Sequence, residues 1–203
     1  MRQLILASQS LRRSELLHRA GFTFTILSVQ ISEIPDENLN LTDQIRHLAR
    51  DKAIACLNSG KIPKGQGNLL LSADTVVVLG DQILGKPKDR NENRDFLRQL
   101  SGQTHRVITG VCLLDVDSGE VALDHDLALI EFKQLSADEI EIYVNSNDGL
   151  DKAGGYGIQG EAAAFVAELN GSFDTVMGLP IQLVERLLTE NSWEIARKVE
   201  GDV

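Results

Sequence analysis

Basic residues are in short supply in this chain: 20 Lys and Arg stand against 30 Asp and Glu, a formal net charge of −10. A general nucleic-acid surface needs a basic stripe, so no nucleic-acid polymer is expected as a partner. Cysteine is nearly absent. Cys56 and Cys112 lie far apart without metal-ligand spacing, which points to reduced, buried thiols and away from a disulfide framework. No apolar run approaches the ~20 residues of a membrane span. No Walker pattern occurs, so that common nucleotide fingerprint is missing. The first ten residues, MRQLILASQS, hold one early arginine and too short an apolar stretch for a typical signal peptide, and read as a first strand. A cytoplasmic address with no membrane partner is the expectation.

What is present is ordinary for a globular protein. The 203 residues are 42% hydrophobic and 25% charged, enough for one large domain or two small lobes. Against an acidic background a few local basic residues must meet any phosphate, and a small nucleotide in a cleft fits that better than a polymer.

The densest signal is Leu69–Asp89, LLLSADTVVVLGDQILGKPKD. Its Leu and Val run reads as a strand buried on both faces. A carboxylate inside such a strand is costly unless paired, hydrogen-bonded or metal-bound, which singles out Asp74. The competing reading places Asp74 at a strand edge, capping a neighbouring backbone group. A hairpin at Gly80-Asp81 folds Lys86 back beside the strand, and a carboxylate with a lysine suits a metal-bound phosphate.

Upstream, Leu4–Ala7 reads as a strand, Ser8-Gln9-Ser10 as a turn and Ser14–Ala20 as a helix stopped by Gly21. Backbone N–H groups at such a helix start bind anions, and Arg12 and Arg13 add charge there. Two cations oppose the helix dipole at that end, and a solvated surface pair is the plainer reading. Phe22–Val29 is expected as a strand, Gln30–Leu41 as an acidic loop and Thr42–Leu57 as a helix. Asn91–Leu100 follows as a helix, then His105–Asp115 and Val121–Phe132 as a hairpin. Ser136 with Glu139 forms a capping box, and His105 is expected to be structural.

Asn145–Glu161, NSNDGLDKAGGYGIQGE, is the second informative stretch. Its glycines permit close approach of backbone to a ligand, while Gln159 and Tyr156 supply an amide for a base edge and a ring for stacking. A flexible surface turn is the alternative. Ala162–Leu169 reads as a strand, Phe173–Met177 as its continuation after the Asn170-Gly171 turn, and Gly178–Thr189 as a final helix. Residues 1–190 are expected as a single domain and 191–203 as a tail that frays.

Taken together, Leu6–Arg13 (LASQSLRR), Ser72–Thr75 (SADT), Gly85-Lys86-Pro87 and Asp151–Gly160 (DKAGGYGIQG) resemble the Maf family of nucleoside triphosphate pyrophosphatases. Ser101–His105 (SGQTH), Asn170-Gly171-Ser172 and Gly178-Leu179-Pro180 extend the resemblance over roughly Leu4 to Leu188. One departure is Leu11, where the family usually has proline; leucine can adopt the helical conformation at an entropic cost.

The resemblance implies an α/β, Maf/ITPase-like fold: a long curved mixed β-sheet flanked by helices, with two lobes and an active-site cleft. It implies hydrolysis of dTTP and UTP to the nucleoside monophosphate and pyrophosphate, extending to modified pyrimidine nucleotides, with a divalent metal cation, Mg2+ or Mn2+. It marks Asp74 as the proton acceptor and Arg12, Thr75 and Gln159 as selectors of the base. Ser8, Arg13, Lys52 and Lys86 are assigned to the phosphates, and Glu33 with Asp74 to the metal, an exposed loop carboxylate being the alternative reading of Glu33. Uracil and thymine share an N3–H donor and an O4 acceptor, which one amide such as Gln159 can satisfy; cytosine reverses that pattern. The alternatives are a nucleotide-sensing binding module linked to cell-division arrest, or a pyrophosphatase for 7-methyl-GTP or other modified nucleotides. A homodimer is compatible with all of them.

Overall fold

The structure is a computed structural model that describes residues 2–30, 36 and 38–197. Among these, seven strands form one mixed sheet in the order β2-β1-β3-β5-β6-β7, with β4 paired to β3. Strand β1 (Gln3–Leu6) lies parallel to both β2 (Phe24–Ile26) and β3 (Asn68–Leu79). Strand β4 (Gln82–Leu84) turns back antiparallel on β3, with Leu84 opposite Val77, as the Gly80-Asp81 turn predicts. Strands β5 (Thr104–Asp115) and β6 (Val121–Phe132) are the long pair, and β7 (Val166–Asn170) runs antiparallel to β6. The strand class and the hairpins are therefore those the sequence indicates.

Six α-helices accompany the sheet among the described residues: α1 (Leu11–Arg19), α2 (Leu41–Asn58), α3 (Arg90–Leu100), α4 (Ala137–Ser146), α5 (Phe173–Met177) and α6 (Ile181–Glu190). Their starts follow local chemistry. Ser10, Asn40 and Asp89 cap the first turns of α1, α2 and α3, and Ser136 with Glu139 completes the capping box of α4.

Three expectations fail. Ala162–Phe165 belongs to a 3₁₀ turn, Gly160–Phe165, and the strand begins only at Val166. Phe173–Met177 is a short helix and does not continue the strand, because Ser172 redirects the chain: its hydroxyl accepts from the Asp174 N–H and its carbonyl from the Thr175 N–H. The described tail does not fray. Trp193 is buried, Ile195 and Arg197 bridge to Arg2 and Phe22, and the Arg197 guanidinium lies 4.1 Å over the Phe22 ring.

The chain separates into two compact units, dividing within β3, β5 and β6. The first comprises Met1–Asp74, Thr109–Asp126 and Gly178–Val203. Its core joins Ile5, Ala49, Ala53, Leu70 and Leu114 with both cysteines. The thiols are free, and burial pushes Cys112 up to about 12, so both are inert packing groups, as expected. The second unit comprises Thr75–Ile108 and Leu127–Met177 and is centred on an aromatic cluster of His105, Phe132, Tyr143, Tyr156 and Phe165. No helix among the described residues is long and apolar enough to cross a membrane.

Candidate active site

In the first unit, Asp74 projects from β3 into a buried position, and Lys52 of α2 meets it: Nζ lies 2.5 Å from Oδ1. The two side chains are 16% and 9% exposed for Lys52 and Asp74, so each charge relies on the other for what water would otherwise provide. The sequence basis of this pairing is a set of three contacts that seat α2 on the sheet. Ile45, Leu48, Ala49, Ala53 and Cys56 form its buried face. Gly110 of β5 lets the helix approach closely, since a Cβ there would stand 2.7 Å from the Ile45 carbonyl oxygen. Ser72, two residues before Asp74 on the same face of β3, donates its hydroxyl to the Ala49 carbonyl at 2.6 Å. One turn further along α2, Lys52 then falls opposite Asp74. An edge position for Asp74 is thereby set aside: it is an interior carboxylate with an ionic partner.

The turn after β1 is also braced. Ser8 is buried, and its hydroxyl oxygen accepts from the Ser10 N–H and from an Arg13 guanidinium nitrogen, each at 3.2 Å. Arg13 Nε donates to the Gly178 carbonyl at 2.8 Å. Arg13 is therefore no solvated surface arginine but a tie between this turn and the segment leading into α6. Arg12 is half-buried in the first turn of α1. Leu11, at the family's proline position, does form the first helical residue and is 78% exposed. Glu33, the second carboxylate assigned to the metal, lies outside the described residues.

In the second unit, Thr75 is half-buried on β3, and Lys86 is exposed just beyond β4. Gly85 accepts a hydrogen bond from the Gly154 N–H at 3.0 Å, so the Lys86 segment and the glycine-rich loop are joined directly. Gln159 is exposed at the start of the second 3₁₀ turn, a position from which an amide can address a ligand.

That loop differs from its sequence reading in two respects. Tyr156 does not offer its ring: it is buried, packed at 4.8 Å against Phe132, with its hydroxyl 2.7 Å from His105 Nε2. Burial raises the Tyr156 phenol and lowers the His105 imidazole to about 4, the latter opposed in part by the Gln103 backbone. The glycines, moreover, let the loop close on the protein itself. A Cβ on Gly149 would collide with the Gly155 carbonyl and meet Asn93 Oδ1 at 2.8 Å. Asn93, wholly buried on α3, donates Nδ2 to the Gly155 carbonyl at 2.7 Å.

Gly110, Asn93 and Tyr143 escaped the sequence reading, as did the Ser72 contact with Ala49. Signals existed for two of them: Gly110 interrupts a long β-strand, the mark of close backbone approach, and Asn93 sits on the same helical face as Phe96, Leu97 and Leu100. A cavity of about 560 Å³ in the first unit, lined by Phe22, Leu188 and Trp193 among others, holds none of the assigned residues.

The sheet is mixed and flanked by helices; the first unit holds a buried carboxylate–lysine pair and a braced helix-start turn, and the second a clasped glycine-rich loop. Residues 3–191 match the family described as Maf, Maf-like protein, and the chain belongs to that family. It is 45% identical over 187 residues to a Bdellovibrio bacteriovorus protein named dTTP/UTP pyrophosphatase, covering 92% of this chain and 97% of that one. Proteins of the same name from Desulforamulus reducens and Alcanivorax borkumensis are 40% and 42% identical. Those alignments cover 89% and 91% of this chain, and 92% and 93% of the relatives.

Proposed function

We propose that this protein hydrolyses dTTP and UTP to the nucleoside monophosphate and pyrophosphate, acting as one domain over residues 1–190. The observation that carries the reading is the buried Asp74–Lys52 pair: a binding module has no need of an interior carboxylate held beside a cation. Relatives bearing the dTTP/UTP pyrophosphatase name align over nearly the whole chain.

Asp74 accepts the proton of a water that attacks the α phosphorus in line; the bond to the bridging oxygen breaks, and pyrophosphate leaves with that oxygen. Lys52 and Lys86 neutralise phosphate charge, and Arg13 adds its charge to the Ser8–Ser10 turn it braces, where Ser8 supplies a hydroxyl. Arg12, Thr75 and Gln159 discriminate the base.

Among the described residues no group of three or more His, Cys, Asp or Glu side chains forms a metal cage. The donor chemistry nevertheless fits Mg2+ or Mn2+, since such a cation is commonly held by one or two carboxylates together with substrate phosphates and water. Asp74 would hold it, with Glu33 as the second carboxylate, and a bound cation supplies phosphate neutralisation and an acidified water.

Product analysis with dTTP, UTP, CTP and 7-methyl-GTP, each with magnesium or manganese, tests the proposal. Monophosphate and pyrophosphate from dTTP and UTP, lost in Asp74→Asn, are expected. Turnover of 7-methyl-GTP alone would replace the substrate reading, and binding without turnover on any of the four would favour a sensing module.

A further inference from the structure

The glycine-rich loop is tied at both ends to one hydroxyl group. Tyr143 of α4 is 1% exposed, and its Oη accepts from the Gly157 N–H at 3.1 Å while donating to Asp148 Oδ2 at 3.0 Å. The other Asp148 oxygen accepts from Lys152 Nζ at 3.0 Å, and Lys152 also meets the Asp148 carbonyl and, at 2.7 Å, Asp151 Oδ1. A single chain of donors and acceptors thus runs Gly157, Tyr143, Asp148, Lys152, and it joins the entry of the loop to its exit. Gln159 lies two residues beyond Gly157. The ring of Tyr143 has a separate task, packing edge-on against Phe165 at 5.3 Å.

We infer that Tyr143 is a positioning residue for base selection: its hydroxyl holds Gly157, and so the start of the second 3₁₀ turn, in the one register that presents Gln159 to the base. This rests on the proposed pyrimidine pyrophosphatase reading. The physical argument is preorganisation. An exposed amide reads a base edge well only when the backbone behind it is held within a fraction of an ångström. The ends of a loop this rich in glycine lose much conformational entropy on ordering, and a buried hydroxyl satisfied by both ends meets part of that cost.

Tyr143→Phe removes the hydroxyl and keeps the ring, so packing against Phe165 is retained. Steady-state kinetics with dTTP, UTP and CTP are compared for wild type, Tyr143→Phe, Gln159→Ala and the double variant, with hydrogen exchange at the Gly157 amide as a readout independent of activity. Losing one satisfied hydrogen bond predicts Gly157 exchange faster by about tenfold in Tyr143→Phe. It also predicts KM for dTTP and UTP up by about tenfold, kcat within about threefold, and the preference over CTP reduced by about tenfold. The double variant is expected to be no less selective than Gln159→Ala, because both act on one contact. A dTTP-over-CTP preference intact in Tyr143→Phe but lost in Gln159→Ala overturns the inference and leaves the base-selection reading standing. A wild type with no preference for dTTP or UTP overturns both, as does a Gln159→Ala enzyme as selective as wild type.

Discussion

Lys52 and Asp74 stand 22 residues apart in sequence and meet at 2.5 Å inside the first unit, one on a helix and the other on the strand beneath it. Breaking a buried pair strands a charge, whereas removing both members does not. Lys52→Met is therefore expected to destabilise the protein by about 3 kcal/mol, and Asp74→Asn by less, because the amide oxygen still accepts from Lys52. The double variant should recover part of the Lys52→Met loss. Urea unfolding of the four proteins measures the coupling, and additive losses would contradict it.

Close seating of α2 is a second expectation. Gly110→Ala places a methyl group 2.7 Å from the Ile45 carbonyl, a backbone atom that moves only with the helix. Such overpacking costs about 1–3 kcal/mol. Because Lys52 rides on the same helix, turnover should fall more than tenfold, beyond what the loss of folded enzyme explains. Turnover proportional to the folded fraction would show that helix position and chemistry are independent.

His105 gives the protein an acid dependence. The unfolded chain takes up a proton on this ring near pH 6.5, whereas the folded chain does so only near pH 4, because burial disfavours the imidazolium. Between those values the unfolded state binds more protons, so the stability contributed by neutral His105 is complete above pH 6.5 and is lost as pH falls to about 4. That interval corresponds to about 3 kcal/mol. His105→Gln keeps a polar partner for Tyr156 without the titration, so its unfolding free energy should decline less than wild type between pH 6.5 and 4. Parallel declines would rule the ring out as the cause.

Gln159 is exposed and caps nothing with its side chain. Gln159→Ala is thus expected to leave the melting temperature unchanged to within a degree or two, since exposed substitutions of this kind cost less than about 0.5 kcal/mol. Its dTTP and UTP preference over CTP should fall by roughly ten- to a hundredfold, the worth of 1–3 kcal/mol at a base edge. Differential scanning calorimetry and competition kinetics read the two halves separately.

The parts of the fold that announce themselves do so through local chemistry. The apolar run of β3, its Gly80-Asp81 return, the β5–β6 pair and the Ser136–Glu139 box each depend on residues a few positions apart. The misread segments have weak or contradictory local preference. Ala162–Phe165 carries no period, and its 3₁₀ form accompanies Phe165 packing on Phe132 and Tyr143. Val and Thr in Phe173–Met177 favour a strand, but Ser172 overrules them by accepting the Asp174 N–H on its hydroxyl and the Thr175 N–H on its carbonyl.

The same division governs the candidate site. Residue types and order alone determined that Asp74 lies within an apolar strand, that serines and arginines open α1, and that an amide sits in a glycine-rich loop. Tertiary structure decided what each of these touches. It gave Asp74 to Lys52, joined Arg13 to Gly178, withdrew Tyr156 into the core beside His105, and tied the glycine-rich loop to Asn93. The reason is one of range: capping, turn formation and periodicity act over a few residues, whereas the partner of a buried polar group is set by which elements pack together, and those elements lie 22 to 165 positions apart.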